Sequence, residues 1–223
     1  MKIAVAKRAL ARFVGVPFGE MLPPHELVDL KTDKGIVGKL LERELGLPHL
    51  PSTLDFEDGE LKTNKCCPDG KPRETMFITQ ISETIDEILG ERPFEETNLC
   101  KKTKRMLYVP VCKDGPTAAW RFLPFIYVDL GSPEHETLAR QIREDYYSIA
   151  RQLRTHVETS HDGFVHTSNG VFVQVRSKDA MPYHPIYSKK YGRYVSNKNH
   201  AFYFQKTFMV HLQKMSSDYP VKR

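Results

Sequence analysis

The chain has 223 residues, 40% of them hydrophobic and 27% charged, with a net charge of +5. That is the composition of an ordinary soluble globular protein, long enough for one large domain or two lobes around a substantial core. It excludes a membrane-spanning protein, since no run approaches the ~20 apolar residues a bilayer demands. The mild positive charge is compatible with nucleic acid without requiring it.

The amino terminus, MKIAVAKRALARFVG, is interrupted by Lys7, Arg8 and Arg12, so it has no clean signal-peptide core and reads as a helix ending near Pro17. A Pro-rich turn at Pro23-Pro24 follows. A second helix is predicted from Asp33, an N-cap candidate, to Gly46, with Pro48 beyond. DFEDGELK (Asp55–Lys62) and TMFITQI (Thr75–Ile81) suggest a pair of strands. Two aromatic and β-branched runs, 106–111 and 120–128, predict further strands.

The strongest helix begins at Ser132-Pro133 and places Leu138, Ile142, Tyr146, Ile149, Leu153 and Val157 on one stripe. GVFVQVR (Gly170–Arg176) reads as a strand. Residues 199–214 read as a closing helix whose aromatic start is also compatible with a strand. Mixed strands and helices imply an α/β class, a mixed sheet with flanking helices. Of the four cysteines, Cys66, Cys67, Cys100 and Cys112, none forms a CxxC pair, which argues against a zinc ribbon and for reduced thiols in a cytoplasmic protein. His161 and His166 flank a Gly turn without a matching second pair, the pattern of solvated turn histidines.

Two segments could carry chemistry. In the second helix Gly35, Gly38, Glu42 and Leu45 share one side. Two interior glycines cost about 1 kcal/mol each relative to alanine, so a close neighbour is expected to need the space, with Glu42 on the same stripe. In DFEDGELK, Asp58-Gly59 is a type I′ hairpin signal, which favours an inert, solvated tip. On a strand, however, Glu60 and Lys62 project from the same face with Asp55 nearby. Such a set could bind a divalent cation and act on a phosphodiester, because Mg²⁺ takes one or two carboxylates plus water and phosphate oxygens. From these residues alone both readings stand.

The order of segments along the chain resembles the MutH family of DNA endonucleases. Lys31-Thr32-Asp33-Lys34-Gly35-Ile36-Val37-Gly38-Lys39-Leu40-Leu41-Glu42 is similar to that family's DKG-x-x-G-x-LLE helix, and Asp55-Phe56 through Glu60-Leu61-Lys62-Thr63 to its DF…ELKT site. Gly70-Lys71-Pro72-Arg73-Glu74-Thr75-Met76-Phe77 matches its G-x-P-x-ET-x-F segment. The stretch Lys101 to Val111, then Gln174-Val175-Arg176-Ser177-Lys178 and Phe202 to Phe208, resemble its later elements, in order along almost the whole chain. The chain departs from the family in a shorter Asp55–Glu60 interval, in Leu54 where proline often precedes the aspartate, and in Ser177 where the recognition strand often has proline.

The resemblance implies a PD-(D/E)xK restriction-endonuclease-like core with two lobes forming a DNA-binding cleft. The catalytic lobe would span about 1–112 and the recognition lobe about 113–223, with the closing helix contacting both. It further implies that Asp55 and Glu60 hold Mg²⁺ (with Mn²⁺ able to substitute) and that Lys62 orients the attacking water. Glu42 and Lys102 would complete the catalytic set, and Lys34, Phe77, Arg176, Lys178, Tyr203 and Lys206 would contact DNA. The expected protein is a monomer acting on double-stranded DNA at GATC or a relative, sensitive to methylation, with a MutL-type activator if it serves repair. The alternatives are a stand-alone type II restriction endonuclease cutting both strands and a catalytically inactive DNA-binding module of the same fold.

Overall fold

A computed structural model describes residues 1–30, 35–48 and 54–216. In chain order the elements are helices α1 (Ile3–Leu10), α2 (Phe18–Met21), α3 (Pro24–Asp29) and α4 (Ile36–Glu44), then strands β1 (Glu60–Cys66) and β2 (Met76–Gln80). Helices α5 (Ile85–Leu89) and α6 (Asn98–Lys104) follow, then β3 (Arg105–Cys112), β4 (Arg121–Phe122), β5 (Ile126–Asp129) and the long α7 (Glu136–Thr159). The chain ends with β6 (Ser168–Asn169), β7 (Val173–Ser177), β8 (Ile186–Ser188), β9 (Arg193–Ser196), β10 (His200–Phe204) and α8 (Lys206–Met215). The class is mixed α/β, as the sequence predicts. No helix among the described residues is long and apolar enough to cross a membrane.

The chain forms two compact units, each assembled from separated segments. One comprises Met1–Glu74, Arg105–Asp129 and Met209–Arg223; the other comprises Thr75–Lys104 and Leu130–Phe208. In the first unit β3 is the central strand, buried from Met106 onward, pairing parallel with β1 and antiparallel with β4 and β5. This is a mixed sheet. The single strand expected at 120–128 is broken into β4 and β5. Pro110 opposite and Pro124 within the break have no N–H to give the ladder, and Leu123 N bonds Pro110 O at 2.8 Å as the chain bulges past. Helices α1 and α4 cover this sheet with Ile3, Ala6, Leu10, Val37, Leu40 and Leu41.

The expected helix ending near Pro17 is shorter, because α1 stops at Leu10 and a turn with Gly15 at φ 85° leads into α2. Helix α4 ends as predicted. Gly46 takes φ 69°, Gly46 N bonds Arg43 O at 2.9 Å and Leu47 N bonds Glu42 O at 2.9 Å, a Schellman cap. The N-cap candidate Asp33 lies outside the described residues.

The second unit is built on an antiparallel sheet in the order β2-β10-β7-β6. Both segments that read as strands, β1 and β2, are strands, and they lie in different sheets: β1 pairs with β3 and β2 with β10. The aromatic run at 200–204 is a strand and only the residues from Lys206 are helical, which resolves the ambiguous closing segment. Helix α7 lays its predicted stripe against this unit, with Leu138, Ile142, Tyr146, Ile149, Leu153 and Val157 all buried.

Candidate active site

The turn before β1 is anchored rather than solvated. Phe56 N bonds Gly59 O at 2.9 Å, Glu57 N bonds Met1 O at 3.1 Å, and Asp58 Oδ1 accepts from Ile3 N at 2.8 Å, capping the start of α1. Neither Asp58 nor Gly59 has the positive φ that a type I′ turn requires, so the predicted hairpin type is corrected. Glycine is needed at 59 for space: a Cβ there would stand 2.6 Å from both Arg105 O and Ile3 Cδ1. Asp58 is thereby committed to α1, and it is Asp55 that turns to β1.

Asp55 Oδ2 accepts from Leu61 N at 2.9 Å, which pins its carboxylate beside the first residues of the strand. Lys62 Nζ lies 2.7 Å from Glu60 Oε1, with Glu60 only 3% and Lys62 11% exposed. The two side chains leave the same strand face, as the period-two reading predicts. Burying an ion pair this deeply is a weak route to stability, because desolvation offsets the Coulomb gain. Its presence at a strand start beside a second carboxylate points to chemistry.

Helix α4 contributes Glu42. Gly38 faces Thr63 of β1, yet a Cβ there would lie 3.9 Å from Thr63 Oγ1, an ordinary contact. Gly35 is the N-cap of the helix and not in its interior. The expectation that the glycines make room for a close neighbour is therefore corrected. Glu42, one turn beyond Gly38, is half-buried. Lys102 is half-buried on α6 in the second unit, and Lys34 lies outside the described residues.

Cys66 ends β1 fully buried beside Cys112 of β3, and burial pushes its thiol up to about 12. This thiol is inert, and Cys66, Cys67, Cys100 and Cys112 are all free.

Four of the expected DNA-contacting residues meet on one face of the second unit's sheet. Tyr203 on β10 stands opposite Phe77 on β2, their rings edge-on at 5.8 Å. Arg176 on β7 lies diagonally across and sets its guanidinium 4.4 Å from the Tyr203 ring centre. Lys178 reaches over Phe77, with Nζ 3.3 Å from the ring centre. Each cation thus rests on an aromatic face. Burial raises the Tyr203 phenol pKa, and the adjacent Arg176 partly opposes that. Lys206 is exposed at the start of α8.

Two carboxylates that hold this unit together gave no sequence signal. Asp145, 2% exposed on α7, accepts from the amides of Val171 (2.8 Å), Phe172 (2.6 Å) and Val173 (2.8 Å), and from Gln141 Nε2 (3.0 Å). Gly170 is required there, since a Cβ would overlap Asp145. Asp179, just past β7, accepts from the amides of Asn199, His184 and Ala180, and the Asn199 amide, then the His184 ring and amide, hold its pKa well below the carboxylate range.

A mixed α/β fold that presents two carboxylates and a lysine where one strand begins, with a cation-and-aromatic sheet face in its second unit, is the class of protein these observations define. The DNA mismatch repair protein MutH of Escherichia coli O6:K15:H31 is 30% identical over 176 residues, which cover 74% of this chain and 71% of that protein. The same named protein of Shigella flexneri is 30% identical over 178 residues with the same coverage. That of Shewanella woodyi is 33% identical over 125 residues, 53% of this chain. No protein-family model matches. The chain belongs to the MutH family. The match spans only about half the length of some of these relatives, 50% of the Shewanella woodyi protein among them.

Proposed function

We propose that the protein is a Mg²⁺-dependent endonuclease that hydrolyses a phosphodiester of double-stranded DNA at a short sequence, GATC or a relative. On this reading it acts as a mismatch-repair nicking enzyme sensitive to adenine methylation and answering to a MutL-type activator. The observation that carries the reading is the Asp55–Glu60–Lys62 set, a carboxylate tied to the Leu61 amide next to a buried carboxylate–ammonium pair. The MutH relatives supply the connection to DNA repair.

The donor chemistry fits a hard divalent cation. Asp55 and Glu60 offer only carboxylate oxygens, and among the described residues no group of three or more His, Cys, Asp or Glu could hold a metal ion. Mg²⁺ uses just such a sparse set, completed by solvent and phosphate oxygens. Asp55 and Glu60 would hold the ion, which when bound supplies Lewis-acid polarisation and a water of lowered pKa. Lys62, held at Glu60 Oε1, keeps an ammonium where negative charge builds on the phosphate. Arg176 and Lys178 present donors of the kind that guanine O6 and N7 accept, and Phe77 an apolar ring able to sense a methyl group or disturb stacking. Glu42, on α4 of the same unit, completes the acidic set, and Lys34, Lys102 and Lys206 add phosphate contacts.

The test is cleavage of unmethylated, hemimethylated and fully methylated GATC duplexes in Mg²⁺, with and without a MutL-type activator. The expected result is nicking of the unmethylated strand, stimulated by the activator and lost in Glu60→Ala and Lys62→Ala with binding retained. Unaided cutting of both strands would make the protein a type II restriction endonuclease. Absence of Mg²⁺-dependent cleavage on every duplex would leave a DNA-binding module.

A further inference from the structure

The tract between β7 and β9 concentrates exposed aromatic surface. Met181, Tyr183, Tyr187 and Tyr194 are all exposed, and no other tyrosine is among the exposed large apolar side chains of the described residues. Tyr187 and Tyr194 pair across the β8–β9 ribbon, 50% and 57% exposed, with their rings edge-on at 5.4 Å. Their neighbours Ile186, Ser188, Val195 and Ser196 are buried, so the ribbon has an inner face and an unpartnered outer one. The ribbon is held from behind. Asp86 on α5 accepts from Ser188 Oγ and from Lys189 N at 2.9 Å, and Arg193 donates to Val157 O at 2.8 Å and Gly163 O at 2.9 Å.

Charge decides what such a face fits. From residue 178 to residue 194 the one acid is Asp179, whose side chain is 6% exposed and whose oxygens serve backbone amides. Lys189 and Lys190 sit at the exposed ribbon tip. Glu158 of α7 accepts from the Tyr191 hydroxyl at 2.7 Å beside the ribbon tip, whereas Tyr187, Tyr194, Lys189 and Lys190 are exposed. Such a cationic and aromatic surface suits a polyanion, and tyrosine hydroxyls and lysine ammonium groups are common phosphate donors. A two-stranded ribbon also matches the dimensions of a DNA groove.

We propose that the outer face of this ribbon, through Tyr187, Tyr194 and Lys189, grips the sugar–phosphate backbone of duplex DNA flanking the recognition sequence. The proposal rests on the DNA-binding reading above and adds a second footprint to it. Because Asp86 and Arg193 fix the ribbon beforehand, little order is lost when it engages.

Binding in the absence of divalent metal is measured on two duplexes, one just covering the recognition sequence and one extended on both sides, over a range of salt. The wild-type protein is expected to bind the long duplex about tenfold more tightly than the short one, the scale of one or two net hydrogen bonds. Tyr187→Ala/Tyr194→Ala is expected to bind the short duplex as wild type does and to lose the gain from length. Lys189→Ala is expected to reduce the salt slope on the long duplex by about 1. Unfolding midpoints equal to wild type confirm that the exposed substitutions leave the fold intact. Full length dependence in the double variant overturns the proposal, as does an equal loss on both lengths. Failure of the wild type to bind either duplex is a separate result, which removes the DNA reading itself.

Discussion

In the first unit the acids and lysine of the candidate site come from one short segment, fastened by its own backbone through Asp55 to Leu61 N and by Glu60 to Lys62. In the second unit the Phe77–Tyr203–Arg176–Lys178 cluster draws on three strands far apart in sequence and exists only through their register. A local set is vulnerable chiefly to changes in its own side chains. A register-built set is vulnerable also to changes in the scaffold behind it, because a one-residue slip turns every side chain to the other face.

The largest effect is expected in the local set. Lys62→Ala should reduce cleavage by about 10²–10³-fold, the scale of losing one charge-stabilising donor. It should also lower stability by about 3–5 kcal/mol, because Glu60 is left buried and uncompensated. Glu60→Gln/Lys62→Met should recover most of that stability in denaturant titrations and none of the activity. Recovery of activity as well would show that the pair is structural. Next in size, Asp145→Ala should destabilise by about 3 kcal/mol by orphaning three amides before and within β7. Its DNA affinity should fall with the loosened sheet, although Asp145 belongs to no DNA-contacting set. Unchanged affinity would separate the cluster from its support.

What could be read in advance follows the same division. The α7 stripe, the Gly46 cap and the shared face of Glu60 and Lys62 are local periodicities, and they were legible. Asp58-Gly59 was misread, because the packing of Ile3 and Arg105 around Gly59 is tertiary and overrides the turn preference of the dipeptide. The glycines of α4 were over-read, since Gly38 has room for a Cβ. The break at Pro124 depends on Pro110 lying opposite it, a pairing that no window along the chain contains. The Phe77, Tyr203, Arg176 and Lys178 set is reached only through the order of family segments. Asp145, sitting between Ile142 and Tyr146 on the buried stripe, offered no signal because the three amides it holds lie more than a score of residues away.

A smaller effect separates reading from holding, between Arg176 of the register-built set and Lys206 at the start of α8. Arg176→Ala should cost about 1–3 kcal/mol of discrimination at one base position. Lys206→Ala should weaken binding similarly on every sequence and lower the salt slope by about 1. Competition binding against single-base variants of the site checks both. Equal losses across all sequences for Arg176→Ala would move it from base reading to phosphate contact.

The smallest effect is a pH dependence lodged in the second unit. His200 is buried on β10 opposite Ser177, between Arg176 and Lys178, and its Nδ1 lies 3.2 Å from Lys198 O. Burial lowers its pKa from the ordinary 6.5; the Lys198 carbonyl opposes this, the Lys198 and His166 charges add to it, and Asp179 opposes it weakly. The unfolded chain therefore takes up a proton near pH 6.5 while the folded chain does not. Stability from this residue is complete above that pH and is lost as pH falls toward the lower folded value, at no more than about 1.4 kcal/mol per pH unit. His156, lowered by burial and by His166, adds in the same direction. Thermal unfolding followed from about pH 7.5 to 5.5 should show a midpoint that drops with acid, and His200→Gln should flatten that drop. An unchanged slope in His200→Gln would assign the acid sensitivity elsewhere and leave the β2-β10-β7-β6 sheet indifferent to protonation in this range.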